Sequence, residues 1–194
     1  MANVMLAIVA RRPTVDGMGD QSADVVPDTK DWTWTLERAC PECGFDARQV
    51  PPGQISGQVG ALTGAWPAVL RREGVRERPA PGVWSPLEYA CHVRDVCRVF
   101  EGRARLMLAQ DAAPFENWDQ DETAMADRYA DQDPAVVSAQ LREAAAGAAA
   151  AFAGVAGEQW SRSGVRSNGS LFTVATLGQY LLHDLAHHLV DVGA

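Results

Sequence analysis

The chain has 194 residues, 47% of them hydrophobic, which suits one domain with a single sizeable core. Its formal net charge of −8 excludes a protein built to bind nucleic acid, because gripping a phosphate backbone needs a clustered basic surface. The longest apolar run near the start, Val4 to Ala10, is too short to span a bilayer, and it precedes positive charge instead of following it as a secretory signal would. The cytoplasm is therefore the expected compartment, with no membrane partner, and the four cysteines are expected to be reduced there.

Residues 1 to about 30 mix Gly, Asp, Pro and Thr without a period and read as a loose, disordered arm. Residues 31–48 read as an extended segment: Trp32-Thr33-Trp34-Thr35-Leu36 is aromatic and β-branched, although no second strand with a hairpin signal follows it. Cys40-Pro41-Glu42-Cys43-Gly44 in the same segment reads equally as half a zinc knuckle, a redox dithiol or a pair without a role. Cys91 and Cys97, six apart, do not complete a knuckle, and no βαβ unit supports a thioredoxin-like site.

After Pro51-Pro52, residues Ile55, Val59, Leu62, Trp66 and Val69 recur every three or four positions and predict a first helix with an apolar face. It stops near Arg71-Arg72-Glu73-Gly74. The second helix opens with Ser85-Pro86-Leu87-Glu88, an N-cap serine, a proline at the first helical position and a glutamate at the third, with Trp84 and Tyr89 as a hydrophobic staple. His92 falls among Tyr89, Val93, Val96, Val99 and Phe100, on the side expected to face the core. A third helix begins at Asp133-Pro134 and runs through alanine-rich sequence to about Val155. The fourth follows the turn signal Asn168-Gly169, with Thr173 as its N-cap. Four helices without a strong strand signal predict an all-α protein, an up-down four-helix bundle over residues 49–194. The 111–133 loop is too long for a plain turn and is expected to line a site.

Chemistry concentrates in the histidines. One of the four is His92, and the other three stand in Leu182-His183-Asp184-Leu185-Ala186-His187-His188. His183 and His187 are four apart, so on a helix their Cβ atoms lie about 5–6 Å from each other, within reach of one ion at roughly 2.0–2.1 Å per Zn–N bond. Together with His92 they predict a three-histidine metal site with an open position for water or substrate. A solvent-facing pair on the fourth helix and a core histidine bonded to a carbonyl are the plain alternatives. His188, four after Asp184, reads as a structural pair with that carboxylate and not as a ligand. Asp95, one turn from His92, is placed to orient its ring. Arg166 reads either as a clamp on a substrate or cofactor carboxylate or as a surface ion pair, and Trp118 as part of a pocket wall. The patterns of serine hydrolases, P-loop NTPases and dinucleotide-binding folds are all missing.

Trp84-Ser85-x-x-Glu88-x-x-x-His92-x-x-Asp95 followed by Tyr180-x-x-His183-Asp184-x-x-His187 resembles the DinB-like superfamily, which includes the metal-binding domain of mycothiol-dependent maleylpyruvate isomerase. The likeness covers roughly residues 50 to 194. It implies a four-helix bundle that binds zinc or nickel through three histidines, carried here to His92, His183 and His187. It further implies a cytoplasmic metal-dependent S-transferase or isomerase that joins a small thiol to an electrophilic substrate. Of the 17 basic residues only Lys30 is lysine, the bias of a GC-rich genome, and mycothiol is accordingly the first thiol to expect. Hydrolysis by metal-activated water, and a non-catalytic stress or interaction protein with a structural metal, are the rival expectations. Pairing through an exposed apolar face would make the chain a homodimer.

Overall fold

The computed structural model describes residues 30–194. The expected arm, apart from Lys30, lies outside the described residues. The first predicted helix is present as α1 (Ile55–Thr63) and, after a break at Gly64-Ala65, the single turn α2 (Trp66–Val69). The second is α3 (Pro86–Ala109), the third α5 (Pro134–Ala153) and the fourth α6 (Val174–Asp191), with a short α4 (Gln120–Ala126) between the second and third. Together these form the expected four-helix bundle. Helix α3 packs on α5 and α6, and α1 packs on the same two. The first and second helices therefore face each other across the bundle instead of lying side by side, an order that the long connections at 70–85 and 110–133 permit.

Local chemistry sets the helix starts. The Ser85 hydroxyl accepts from the Glu88 N–H at 3.3 Å, and the Ser85 N–H donates to Glu88 Oε2 at 2.8 Å, closing the capping box on α3. Arg78 Nε donates to the same carboxylate at 3.0 Å, and the Trp84 and Tyr89 rings meet edge to face at 5.6 Å. Asp133 caps α5 through the Ala135 and Val136 N–H groups, and Thr173 caps α6 through that of Thr176. Ile55, Val59, Trp66, Leu87, Leu141, Phe152, Leu177, Leu181 and Leu185 meet in one buried core. The fit is close: a Cβ on Gly178 of α6 would stand 2.7 Å from Ile55 Cδ1 and 3.0 Å from the Phe152 ring.

Two expectations are corrected. Trp32–Leu36 is a 3₁₀ turn, not an extended segment, because Asp31 Oδ1 accepts from the Thr33 N–H at 3.0 Å and its hydroxyl at 2.8 Å, while Thr35 Oγ1 donates back to the Trp32 carbonyl. These local side-chain bonds outcompete strand pairing. A small sheet also joins the bundle: β1 (Ala113–Phe115) pairs in parallel with β2 (Ser163–Arg166), which pairs antiparallel with β3 (Leu171–Thr173) across the Asn168-Gly169 turn. Strands of three or four residues carry too little alternation to be seen in sequence. Here Gly164 lets β2 lie directly against Met107 of α3 and the Phe115 ring of β1. Among the described residues no helix is long and apolar enough to cross a membrane.

Because Ser85 is fully buried and holds one half of the box, Ser85→Ala is expected to destabilise the chain by about 1 kcal/mol. For a protein of this size that is a fall of roughly 2–4 °C in Tm. Thermal unfolding followed by circular dichroism checks it, and an unchanged Tm would show that Arg78 alone anchors Glu88.

Candidate metal centre

The centre forms where α6 passes α3. Leu181, Leu182 and Leu185 turn into the core, so the intervening residues of the Leu182–His188 run face outward from it in two neighbouring stripes, His183 with His187 and Asp184 with His188. Among the described residues, two sets of candidate ligands have their donor atoms within 4.8 Å of one another: His92 with Asp184 and His188, and Cys40 with Cys43, His183 and His187.

In the first set Asp184 Oδ1 lies 3.6 Å from His92 Nε2 and 3.5 Å from His188 Nε2. Neighbouring ligand atoms around a tetrahedral ion with bonds of about 2.0–2.1 Å stand about 3.3–3.4 Å apart, so these three atoms already surround a cation-sized point. Both ring nitrogens of His92 and Asp184 Oδ1 are buried without a hydrogen-bond partner. Buried polar atoms rarely stay unpaired, and a cation between them would satisfy His92 Nε2 and Asp184 Oδ1, leaving only the Nδ1 proton of His92 without a partner. His188 Nδ1 lies 2.8 Å from Asp191 Oδ2, an arrangement that favours the proton on Nδ1 and turns Nε2 towards Asp184.

Aromatic rings enclose the set. Trp118 stacks on His92 with centroids 5.5 Å apart and an angle of 11°, Trp84 approaches the same ring at 5.3 Å, and Tyr89 lies 5.1 Å from His188. Burial pushes the His92 imidazole below its ordinary value, against the pull of Asp184. Burial opposes the charge on Asp184 as well, but His188 and His92 outweigh it and hold the carboxyl at about 2. At neutral pH the set offers a neutral imidazole and a carboxylate, the protonation states that metal binding needs. A cavity of about 260 Å³ opens over it, walled by Trp32, Trp84, Tyr89 and Tyr180, with Lys30, Glu42 and Asp121 among its polar groups.

In the second set Cys40 Sγ lies 3.8 Å from His187 Nδ1, and the His183 and His187 rings are 5.3 Å apart. Trp32 covers both rings, at 5.6 and 5.0 Å. Burial lowers His183 to about 4 and raises the Cys43 thiol to about 11. His183 Nε2 is buried and unpaired.

The structure thus divides the three histidines that the sequence groups together: His183 and His187 stand with the cysteines, and His92 with Asp184 and His188. Asp184 and His188 do form the expected pair, but it turns towards His92. Asp95 is turned away from the His92 ring. Its carboxylate accepts from Arg94 at 2.9 and 2.7 Å, Arg98 at 3.0 Å and the Tyr129 hydroxyl at 2.7 Å. Trp118 stands against His92 as a wall. Arg166 lies deeper, beside Trp118 in an adjoining cavity of about 360 Å³, donating to Asn168 Oδ1 and Ser170 Oγ at 2.9 Å each. Asp191, four residues beyond His187, was not expected at the site. Its only signal in the sequence is its spacing of three from His188.

Residues 63–191 match the family described as the DinB superfamily. The chain is similar in fold to YfiT from Bacillus subtilis, described as "a probable metal-dependent hydrolase with an unusual four-helix bundle topology", with a TM-score of 0.62 and 18% identity over 75% of this chain and 87% of that one. None of the curated proteins matches the sequence.

The Asp95 cluster supports the wall that carries His92. Burial raises its pKa, but Arg94, Tyr129 and Arg98 together hold it below its ordinary 3.8. A carboxyl lowered on folding stabilises the protein above its unfolded pKa, and that contribution drains away as pH falls through the folded one. Asp95→Asn is expected to lower stability at pH 7 by up to about 3 kcal/mol and to flatten the loss of stability below pH 4. Urea unfolding from pH 7 to pH 3 measures both.

Proposed function

The chain belongs to the DinB superfamily, and on that footing we propose that it is a metal-dependent enzyme whose ion is held by His92, Asp184 and His188. One observation carries the reading: Asp184 Oδ1 sits within 3.6 Å of two imidazole Nε2 atoms, lacks a hydrogen-bond partner, and borders the aromatic-walled cavity. Two imidazoles and a carboxylate suit zinc, and nickel also accepts such a set. A divalent cation held by three protein ligands supplies a Lewis-acidic open position that lowers the pKa of a thiol or water.

The chain's own groups do the rest. Asp191, 2.8 Å from His188 Nδ1, favours the tautomer that presents the other ring nitrogen to the ion. Trp84 and Trp118 keep water from His92, strengthening the electrostatics around it. In this reading Lys30 and Asp121 at the cavity would offer a small polar substrate one cationic and one anionic contact, and Arg166 in the adjoining cavity would exchange part of its bonding to Asn168 and Ser170 for a carboxylate. The substrate class we favour is a small-molecule thiol, mycothiol first, together with an electrophile, making the activity an S-transferase or isomerase. Hydrolysis is the second reading, favoured by the description of YfiT.

Product analysis with and without thiol separates the two. Purified protein carrying its metal is expected to turn over electrophiles only when mycothiol, bacillithiol or glutathione is present. Turnover without thiol that places solvent oxygen in the product would establish the hydrolase. Stoichiometric metal with no rate under either condition would overturn the enzyme reading. His92→Ala and His188→Ala are expected to lose this ion and the activity together, whereas Asp191→Asn should weaken metal binding by about 10–100-fold.

A further inference from the structure

We propose that Cys40, Cys43, His183 and His187 hold a second ion, a structural zinc that fastens the segment from Lys30 to Gln49 onto α6. Two thiolates and two imidazoles form a complete tetrahedral zinc set with no position left for substrate. Their donor atoms lie within 4.8 Å of one another. The 3.8 Å between Cys40 Sγ and His187 Nδ1 is already close to the roughly 3.3–3.8 Å edges of a tetrahedron with bonds of about 2.0 and 2.3 Å.

Three further observations point to a ligand. His183 Nε2 is buried and without a hydrogen-bond partner, in a residue only 3% exposed. The cysteine loop has the shape that delivers two sulfurs to one point: the Gly44 N–H donates to the Cys40 carbonyl at 2.8 Å, the Cys40 N–H donates to the Phe45 carbonyl at 2.9 Å, and Gly44 adopts φ +75°. Positive φ is a conformation that glycine adopts without penalty. His187, finally, turns Nδ1 to Cys40 and Nε2 to the opposite side, where the carboxylates of Glu42 and Asp191 lie 3.7 and 3.9 Å away.

The site also explains how a segment made of short 3₁₀ turns keeps its place. Residues 32–49 have no long helix or strand of their own, yet they contribute Trp32 and Glu42 to the wall of the cavity lined by Asp184 and His188. An ion shared between their cysteines and the histidines of α6 would hold that wall by four bonds. It lies beside the His92 centre, on the next stripe of the same helix, and does not depend on the catalytic reading.

Cobalt(II) substitution of the purified full chain tests it. The His92→Ala variant, with all four proposed ligands intact, is expected to keep one metal equivalent and a thiolate-to-cobalt charge-transfer band. The Cys40→Ser/Cys43→Ser variant should lose one equivalent relative to wild type and lose the band. On the zinc form of His92→Ala, X-ray absorption should give a mixed sulfur and nitrogen shell with Zn–S near about 2.3 Å. Absence of both the band and the sulfur shell in His92→Ala would overturn the proposal, even if the cysteine variant fails to fold. A Cys40–Cys43 disulfide in freshly purified protein would overturn it too. If the band persists while the His92 ion proves absent or inert, the catalytic reading fails and this one stands.

Discussion

Burying imidazoles without hydrogen-bond partners is the constraint around which this structure is arranged. A polar group taken out of water and left unpaired costs about 1–3 kcal/mol, and here both nitrogens of His92, one of His183 and one oxygen of Asp184 are in that condition. Neutral partners do not relieve it, because the surroundings are tryptophan, tyrosine and leucine. Protonation does not relieve it either, since burial disfavours the imidazolium of His92 and His183 alike. A cation in each set would meet one acceptor nitrogen of His92 with Asp184 Oδ1, and Nε2 of His183, respectively.

Helix α6 presents two pairs of candidate ligands with the same spacing, one residue out of step. Successive residues on a helix are about 100° apart, so His183 with His187 and Asp184 with His188 point into adjoining sectors. One sector meets α3 and its histidine, the other the cysteine loop. An open set of three and a closed set of four follow from what each sector faces. This difference in coordination is what separates a centre suited to chemistry from one suited to holding a segment in place.

The bundle was legible in the sequence because its signals are local. The serine–glutamate box at Ser85, the aspartate–proline start at Asp133 and the threonine cap at Thr173 each declare themselves within four residues, and the apolar stripes between them repeat often enough to count. The small sheet was hidden by strands too short to alternate, and the turn at Trp32 by hydrogen bonds from Asp31 and Thr35 that propensity does not register. The candidate ligands were legible as a group but not as an arrangement. Both pairs on α6 fulfil the same i,i+4 rule, the helix is buried on most sides, and only the packing of α6 against α3 decides which pair faces His92. Asp95 misled for a related reason: it lies one turn from the histidine, but two arginines and a tyrosine draw its carboxylate elsewhere.

The bare backbone of Gly178 has a reach beyond its own neighbourhood. Residues 178 and 188 are about 15 Å apart along the axis, so a side chain that pried the near end of α6 away from Ile55 and Phe152 would swing the far end like a lever. A displacement of an ångström at the fulcrum would be enough to carry donor atoms outside bonding range. Whether either proposed centre could close on an ion would thus depend partly on how intimately two helices touch at a place that holds no candidate ligand at all.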